Sequence, residues 1–128
     1  FLLLLLLSAC GQTPHDLAAT RWTLQSYGPK DTQQTVLAHT TVTLEFDETV
    51  TKAGGSGGCN SYGGDLAIQG NTLSIKNIVS TLIACTAPGV AKQETDYFAL
   101  LQRVTTFEKT DTTLTLIAGE ERLEFISR

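Results

Sequence analysis

The sequence predicts a mainly β protein of the α+β class: a small antiparallel β-barrel of about seven or eight strands with one α-helix covering or plugging it. Three observations carry this. Apolar and polar residues alternate with a period of two along most of the chain. Turn-forming residues separate the alternating runs. One segment alone changes to a helical period. So many short strands in one small domain favour closure, because closing the sheet hides its edges.

The elements follow in order. Trp22 and Leu24 alternate with Arg21, Thr23 and Gln25, and Val42, Leu44 and Phe46 alternate with Thr43, Glu45 and Asp47. Leu66 and Ile68 share a face, as do Leu73 and Ile75. Gly70-Asn71 between these two runs predicts a two-residue hairpin. In residues 86–104, Val90, Tyr97, Phe98, Leu101 and Val104 fall on one helical face. Thr86 is the expected N-cap and Pro88 suits the first turn, giving a helix of roughly four turns. Leu114 and Leu116, then Leu123 and Phe125, restore the period of two, with Gly119 predicting a hairpin with a somewhat longer turn. Outward polar residues on every run mark antiparallel strands with one wet face, and abundant Thr suits them.

The chain has 128 residues, enough for one domain with a modest core. Its net charge is -4, without a basic patch to neutralise phosphates, which argues against nucleic acid as a partner. The opening, FLLLLLLSAC, is too short an apolar run to span a bilayer and reads as part of a secretory signal whose start is missing. Leu7-Ser8-Ala9-Cys10 resembles the bacterial lipobox, in which the cysteine is acylated and becomes the mature N-terminus. Residues 1–9 are therefore expected to be signal peptide, residues 10–16 the lipidated Cys10 and a polar tether, and residues 17–128 the folded domain. Membrane lipid, reached through acylated Cys10, is the expected partner. Gly11 in place of Asp points, by resemblance to the enterobacterial sorting rule, to the outer membrane.

Cys59 and Cys85 remain. An exported protein meets an oxidising compartment, where such a pair forms a disulfide. In a chain-entropy account that bond contributes about 3.5 kcal/mol. The competing reading keeps Cys59 as a reactive thiol. Around it lies AGGSGGCNSYGG, six glycines in twelve positions. A P-loop would need a lysine directly after the glycines and a helix beyond it, and a dinucleotide fingerprint would need glycine where Asn60 stands. None of these is present. A nucleophilic Cys59 would need a base, for which His39 is the candidate within the domain. The third reading is structural: glycines allow positive φ, bulges and close strand approach, so the cluster serves as a joint clamped by the disulfide.

These residues resemble a known family. GGCNSYGGDLAIQGNTLSI, STLIAC, KQETDYFALLQRV and LTLIAGEERLEF are similar to the META domain, also called the HslJ-like or DUF306 family. Its pattern falls on Gly58-Cys59-Asn60, on Thr81 to Cys85, on Gln93-Glu94 and on Leu123-Glu124-Phe125, with Trp22-Thr23-Leu24 as its opening strand. The resemblance covers roughly residues 17–127. It implies a small mixed β-barrel with one helix, often a secreted protein or lipoprotein, and a broad association with heat or envelope stress. It supplies no catalytic residue and no cofactor. Gly58, Asn60, Thr81, Gln93 and Glu94 are family-motif residues for which structural use is expected; Glu94 suits the front half of a helix.

Other residues invite a functional reading. Glu45, Asp47 and Glu48 offer metal oxygens, but without a calcium-loop spacing a solvated face is expected. Tyr62 and Tyr97 either line a ligand pocket or are core residues with a wet hydroxyl. Two histidines and no Cys-x-x-Cys argue against zinc, so no metal is assigned. The expected function is a non-catalytic, membrane-anchored envelope lipoprotein, a binding or stress-protective module. The alternatives are a thiol-dependent enzyme or redox protein using Cys59, and a barrel that binds a small apolar ligand.

Overall fold

The computed structural model describes residues 14–128. The expected signal segment and the Cys10 lipidation lie outside the described residues. A 3-10 helix, Pro14–Leu17, begins within the stretch read as tether and carries Leu17 into the core.

The strands are β1 (Arg21–Pro29), β2 (Gln34–Thr35), β3 (Thr43–Phe46), β4 (Lys52–Ser56), β5 (Ser61–Gln69), β6 (Thr72–Ser80), β7 (Thr106–Lys109), β8 (Thr113–Ala118) and β9 (Glu121–Ser127). The helix α1 (Val90–Leu101) separates β6 from β7. All pairings are antiparallel, in the order β2-β1-β3-β4-β5-β6-β7-β8-β9. Because β1 also pairs with β9, from Trp22↔Ser127 to Pro29↔Glu121, the sheet closes in a ring. The two-residue β2 hangs on β1 beside that ring.

Alternation explains the filling of the ring. Trp22, Leu24, Leu44, Phe46, Leu73, Ile75, Phe107, Leu114, Leu116, Leu123 and Phe125 are buried and form one cluster. Burying one such side chain contributes roughly 1.5–3 kcal/mol, so this cluster dominates the stability of the fold. The interior is thus occupied by side chains rather than left as a ligand cavity.

Two bulges shift the alternation. Register changes between Leu24 and Ser26 on β1, and after the extra residue the buried position moves to Tyr27. On the β5–β6 pair the change lies opposite Gly63/Asp65, where Asn77 has φ 54 and its amide donates to Asp65 Oδ2 at 2.9 Å. Beyond it Val79 points to solvent at 74 % exposure.

Gly70-Asn71 makes the expected two-residue hairpin, closing on Gln69↔Thr72. The turn at Gly119 is shorter than expected: Ala118 pairs with Glu121, which leaves only Gly119-Glu120 between the strands. Gly119 at φ 60 allows this tight reversal. The helix is also shorter than expected, 12 residues, and Thr86 is not its cap. Val90 N donates to Ala87 O in a separate turn, and Gly89 is the N-cap in the left-handed region, φ 78. No residue before that left-handed step can continue the helix, so Thr86 and Pro88 stay in the preceding loop. Val90, Gln93, Glu94, Tyr97, Leu100 and Leu101 form its buried face. Among the described residues, no helix is long and apolar enough to cross a membrane.

Candidate functional site

Residues 57–60 turn the chain from β4 into β5, with Gly57 N donating to Asn60 O at 2.8 Å. Gly58 has φ 107, a conformation that side chains with a Cβ rarely adopt. A Cβ on Gly57 would stand 2.7 Å from Glu94 Oε2, so only glycine lets the helix approach this turn. The glycine cluster is a backbone joint, packed against α1.

Glu94 holds the joint from the helix side. It is 6 % exposed, and its Oε2 accepts the N–H groups of Cys59 at 3.0 Å and Asn60 at 2.6 Å. Its Oε1 accepts Asn60 Nδ2. A buried carboxylate is tolerated when several donors satisfy it, and here three do. Glu94 is the fifth residue of α1, and the first helical turn holds no acidic residue. Its work is therefore this clamp rather than an interaction with the helix dipole.

Asn60 ties the joint to the segment after β6. Its Oδ1 accepts Ile83 N at 2.6 Å and Thr81 Oγ1 at 2.9 Å, while Thr81 Oγ1 accepts Ser61 N at 3.2 Å. Asn60 Nδ2 also approaches Ile83 O at 3.3 Å and Cys85 Sγ at 3.5 Å. Cys59 and Cys85 are joined by a disulfide, with Cα atoms 6.0 Å apart across a sequence separation of 26. Gln93 makes a third tie: its Oε1 accepts Leu37 N at 2.8 Å and its Nε2 donates to Thr40 Oγ1 at 3.1 Å. Gly58, Asn60, Thr81, Gln93 and Glu94 thus gather around one disulfide.

Beside the disulfide lies a cleft of about 620 Å³ between residues 37–40 and residues 84–90. Leu37, Ala84, Ala87, Pro88 and Val90 give it apolar walls, and His39 and both cysteines face it. His39 sits at φ 66, an uncommon conformation for a non-glycine residue. The two residues of the thiol reading therefore share one cleft, with the sulfur of Cys59 bonded to Cys85. Next to it Leu82 and Ile83 are 95 % and 63 % exposed.

The two tyrosines belong to the core and their hydroxyls are not wet. Tyr62 and Tyr97 hydroxyls bond each other at 2.6 Å, and Tyr62 donates to Thr43 O at 2.8 Å. Phe98 completes the aromatic group, 5.1 Å from the Tyr62 ring. Burial pushes both phenols above the ordinary tyrosine range, and the neighbouring Tyr97 pushes Tyr62 further. At the far end of β3, Asp47 caps the turn into β4: Thr49 Oγ1, Thr51 N and Lys52 N donate to it at 2.6, 2.8 and 3.0 Å. The Thr49 hydrogen bond first, then the Lys52 N–H, lower its pKa to about 2. Glu45 pairs with Arg21 at 3.8 Å and Arg128 at 3.3 Å.

The META domain family model matches residues 15–128. The chain belongs to the META domain family. Solved structures share its fold. This META domain is similar to a protein from Burkholderia xenovorans solved by NMR, at 25% identity and a TM-score of 0.75, covering 90% of this chain and 86% of that one. It is also similar to a DUF4847 family protein from Bacteroides vulgatus, at 13% identity and a TM-score of 0.63, covering 86% and 93%. An uncharacterized protein from Bacteroides eggerthii follows at 17% identity and a TM-score of 0.53, covering 86% and 98%. No curated protein matches the chain.

Sequence reasoning misses the partners of Gln93, because Leu37 and Thr40 belong to no recognisable motif. It also misses Thr43, whose carbonyl anchors Tyr62. Leu82 and Ile83 carried a usable signal, since two adjacent apolar residues there fit neither the strand nor the helical period.

Proposed function

We propose that this META domain is a non-catalytic module of the cell envelope, anchored through lipid on Cys10, whose cleft beside the disulfide receives a small uncharged apolar ligand. The cleft carries the reading: its walls are mostly apolar, no carboxylate, ammonium or guanidinium lines it, and the disulfide stiffens it. Apolar clefts with a few polar groups are the usual form of small-ligand sites, and His39 and Thr40 would orient the ligand here. The non-catalytic part is supported by the bond that occupies the Cys59 sulfur. The stress-protective role suggested by the family resemblance belongs to the same reading, as does an outer-membrane location. Nile red, an uncharged apolar dye, tests the cleft. Wild type should bind it with enhanced fluorescence, and Leu37→Asp, a change at a 39 % exposed position, should abolish binding without loss of melting temperature. Equal binding by both proteins sinks the ligand reading. Anchoring is tested by expressing the precursor in bacteria with labelled palmitate: wild type should carry the label and migrate as the cleaved form, and Cys10→Ser should carry none. Equal labelling of both, or of neither, would rule the anchor out.

A further inference from the structure

We propose that reduction of the Cys59–Cys85 bond converts this clamp into a site for a thiophilic divalent cation of the zinc class, with Glu94 as third ligand. This goes beyond the ligand-binding reading and does not depend on it. One donor atom from each of Cys59, Cys85 and Glu94 lies within 4.8 Å of the other two. Zinc bonds of about 2.3 Å to sulfur and about 2.0–2.2 Å to oxygen place tetrahedral ligands roughly 3.5–3.8 Å apart. Cys85 Sγ already stands 3.9 Å from Glu94 Oε1. The two sulfurs must part, and Cys59 Sγ, within 4.8 Å of the carboxylate donor, must settle at ligand spacing from it.

The carboxylate is preoriented. The N–H groups of Cys59 and Asn60 occupy Oε2, and Asn60 Nδ2 takes one lone pair of Oε1, leaving another beside the sulfurs. Fixing a ligand through such outer hydrogen bonds is how proteins hold metal sites in register. Charge points the same way. Glu94 takes part in no ion pair among the described residues. A divalent cation would balance the charge that two thiolates and the Glu94 carboxylate bring together. Access exists from two sides. The 620 Å³ cleft reaches both cysteines, and a second cleft of about 400 Å³ reaches Cys85, Glu94 and Asn60. Three protein donors leave a fourth position for water.

The steps balance. A dithiol reductant transfers two electrons and two protons to the disulfide, giving two protein thiols and the reductant's own disulfide. The cation then displaces both thiol protons, which go to solvent. The oxidised protein has no thiolate to offer, so the metal and the disulfide exclude each other.

The test uses the full chain with Cys10→Ser, so that no third thiol takes part. The protein is reduced with a dithiol, freed of it without oxygen and titrated with Cd²⁺ and Zn²⁺. One Cd²⁺ per chain should appear through sulfur-to-metal charge-transfer absorption, with release of two protons per Zn²⁺. The oxidised protein should show neither. Glu94→Gln should weaken binding by at least about 10-fold, the least that losing even a hydrogen-bonding partner of a ligand costs. Where that variant fails to fold, cadmium NMR of the parent complex reports the donor set directly. A reduced chain that takes up no metal, folded or not, overturns the proposal. So does undiminished affinity in Glu94→Gln, or a cadmium shift typical of sulfur ligands alone.

Discussion

Glu94 illustrates how much one buried side chain organises. Removing its carboxylate leaves the N–H groups of Cys59 and Asn60 and one amide N–H of Asn60 without an acceptor in a buried place. Glu94→Ala in the oxidised protein should therefore cost roughly 2–4 kcal/mol, read as a shifted denaturant midpoint. A loss no larger than that of an exposed substitution would mean that water satisfies these donors. Gly58→Val should destabilise as well, because φ 107 strains any residue with a Cβ. Asp47 makes a pH-dependent contribution. Its pKa is lowered to about 2 in the folded state, against 3.8 ordinarily, so the unfolded chain takes up the proton first. The stabilisation is fully present above about pH 4 and fades as pH falls through about 2. The difference in melting temperature between wild type and Asp47→Ala should accordingly shrink between about pH 6 and about pH 2. A constant difference would show that the turn gains nothing from the ionised carboxylate.

Among the elements, the joint of residues 57–60 and the segment from Thr81 to Cys85 are held as a pair. Opening their disulfide from either side should have the same consequence, so Cys59→Ser and Cys85→Ser should each lose roughly 2–4 kcal/mol. Matched melting curves are expected. A fully stable Cys59→Ser beside a crippled Cys85→Ser would instead mark Cys59 as a working thiol. The same elements show what the sequence discloses. Gly70-Asn71 announces its hairpin because local turn chemistry alone decides it. The helix start is misread because Thr86 and Pro88 form a plausible cap locally, while the left-handed Gly89 and the tie at Cys85 place them in a loop. The bulges at β1 and β6 are invisible for a related reason: one inserted residue reverses which side is buried, and only the neighbouring strand reveals it.

For the whole molecule, alternation was enough to announce a mainly β fold with one helix and to name most of its buried residues. It could not announce which strands meet, because a period of two says which face is apolar and nothing of the partner. The candidate site was legible in the same partial way. Cys59, Asn60, Cys85 and Glu94 stand out as a motif, but their convergence with Leu37 and Thr40 depends on contacts far apart in the chain. The division between filled interior and exposed rim is measurable. Leu116→Ala, at a fully buried position, should cost roughly 2–5 kcal/mol. Leu82→Ala, at 95 % exposure, should stay within about 0.5 kcal/mol. Comparable losses at both positions would contradict this assignment of inside and outside.

The pairing of β1 with β9 also sets a timetable. The first strand to leave a ribosome or an export channel waits for the last before its own hydrogen bonds are complete, from Trp22↔Ser127 onward. Until then the nascent chain carries two open sheet edges and an unsealed apolar lining, the features that invite self-association. Such distant closure also slows folding relative to a helical domain of the same size. A chain shortened by its final strand keeps most of its core residues yet can never finish. Its fate should be aggregation rather than a slightly weakened monomer, with β1 and β8 left as adhesive borders.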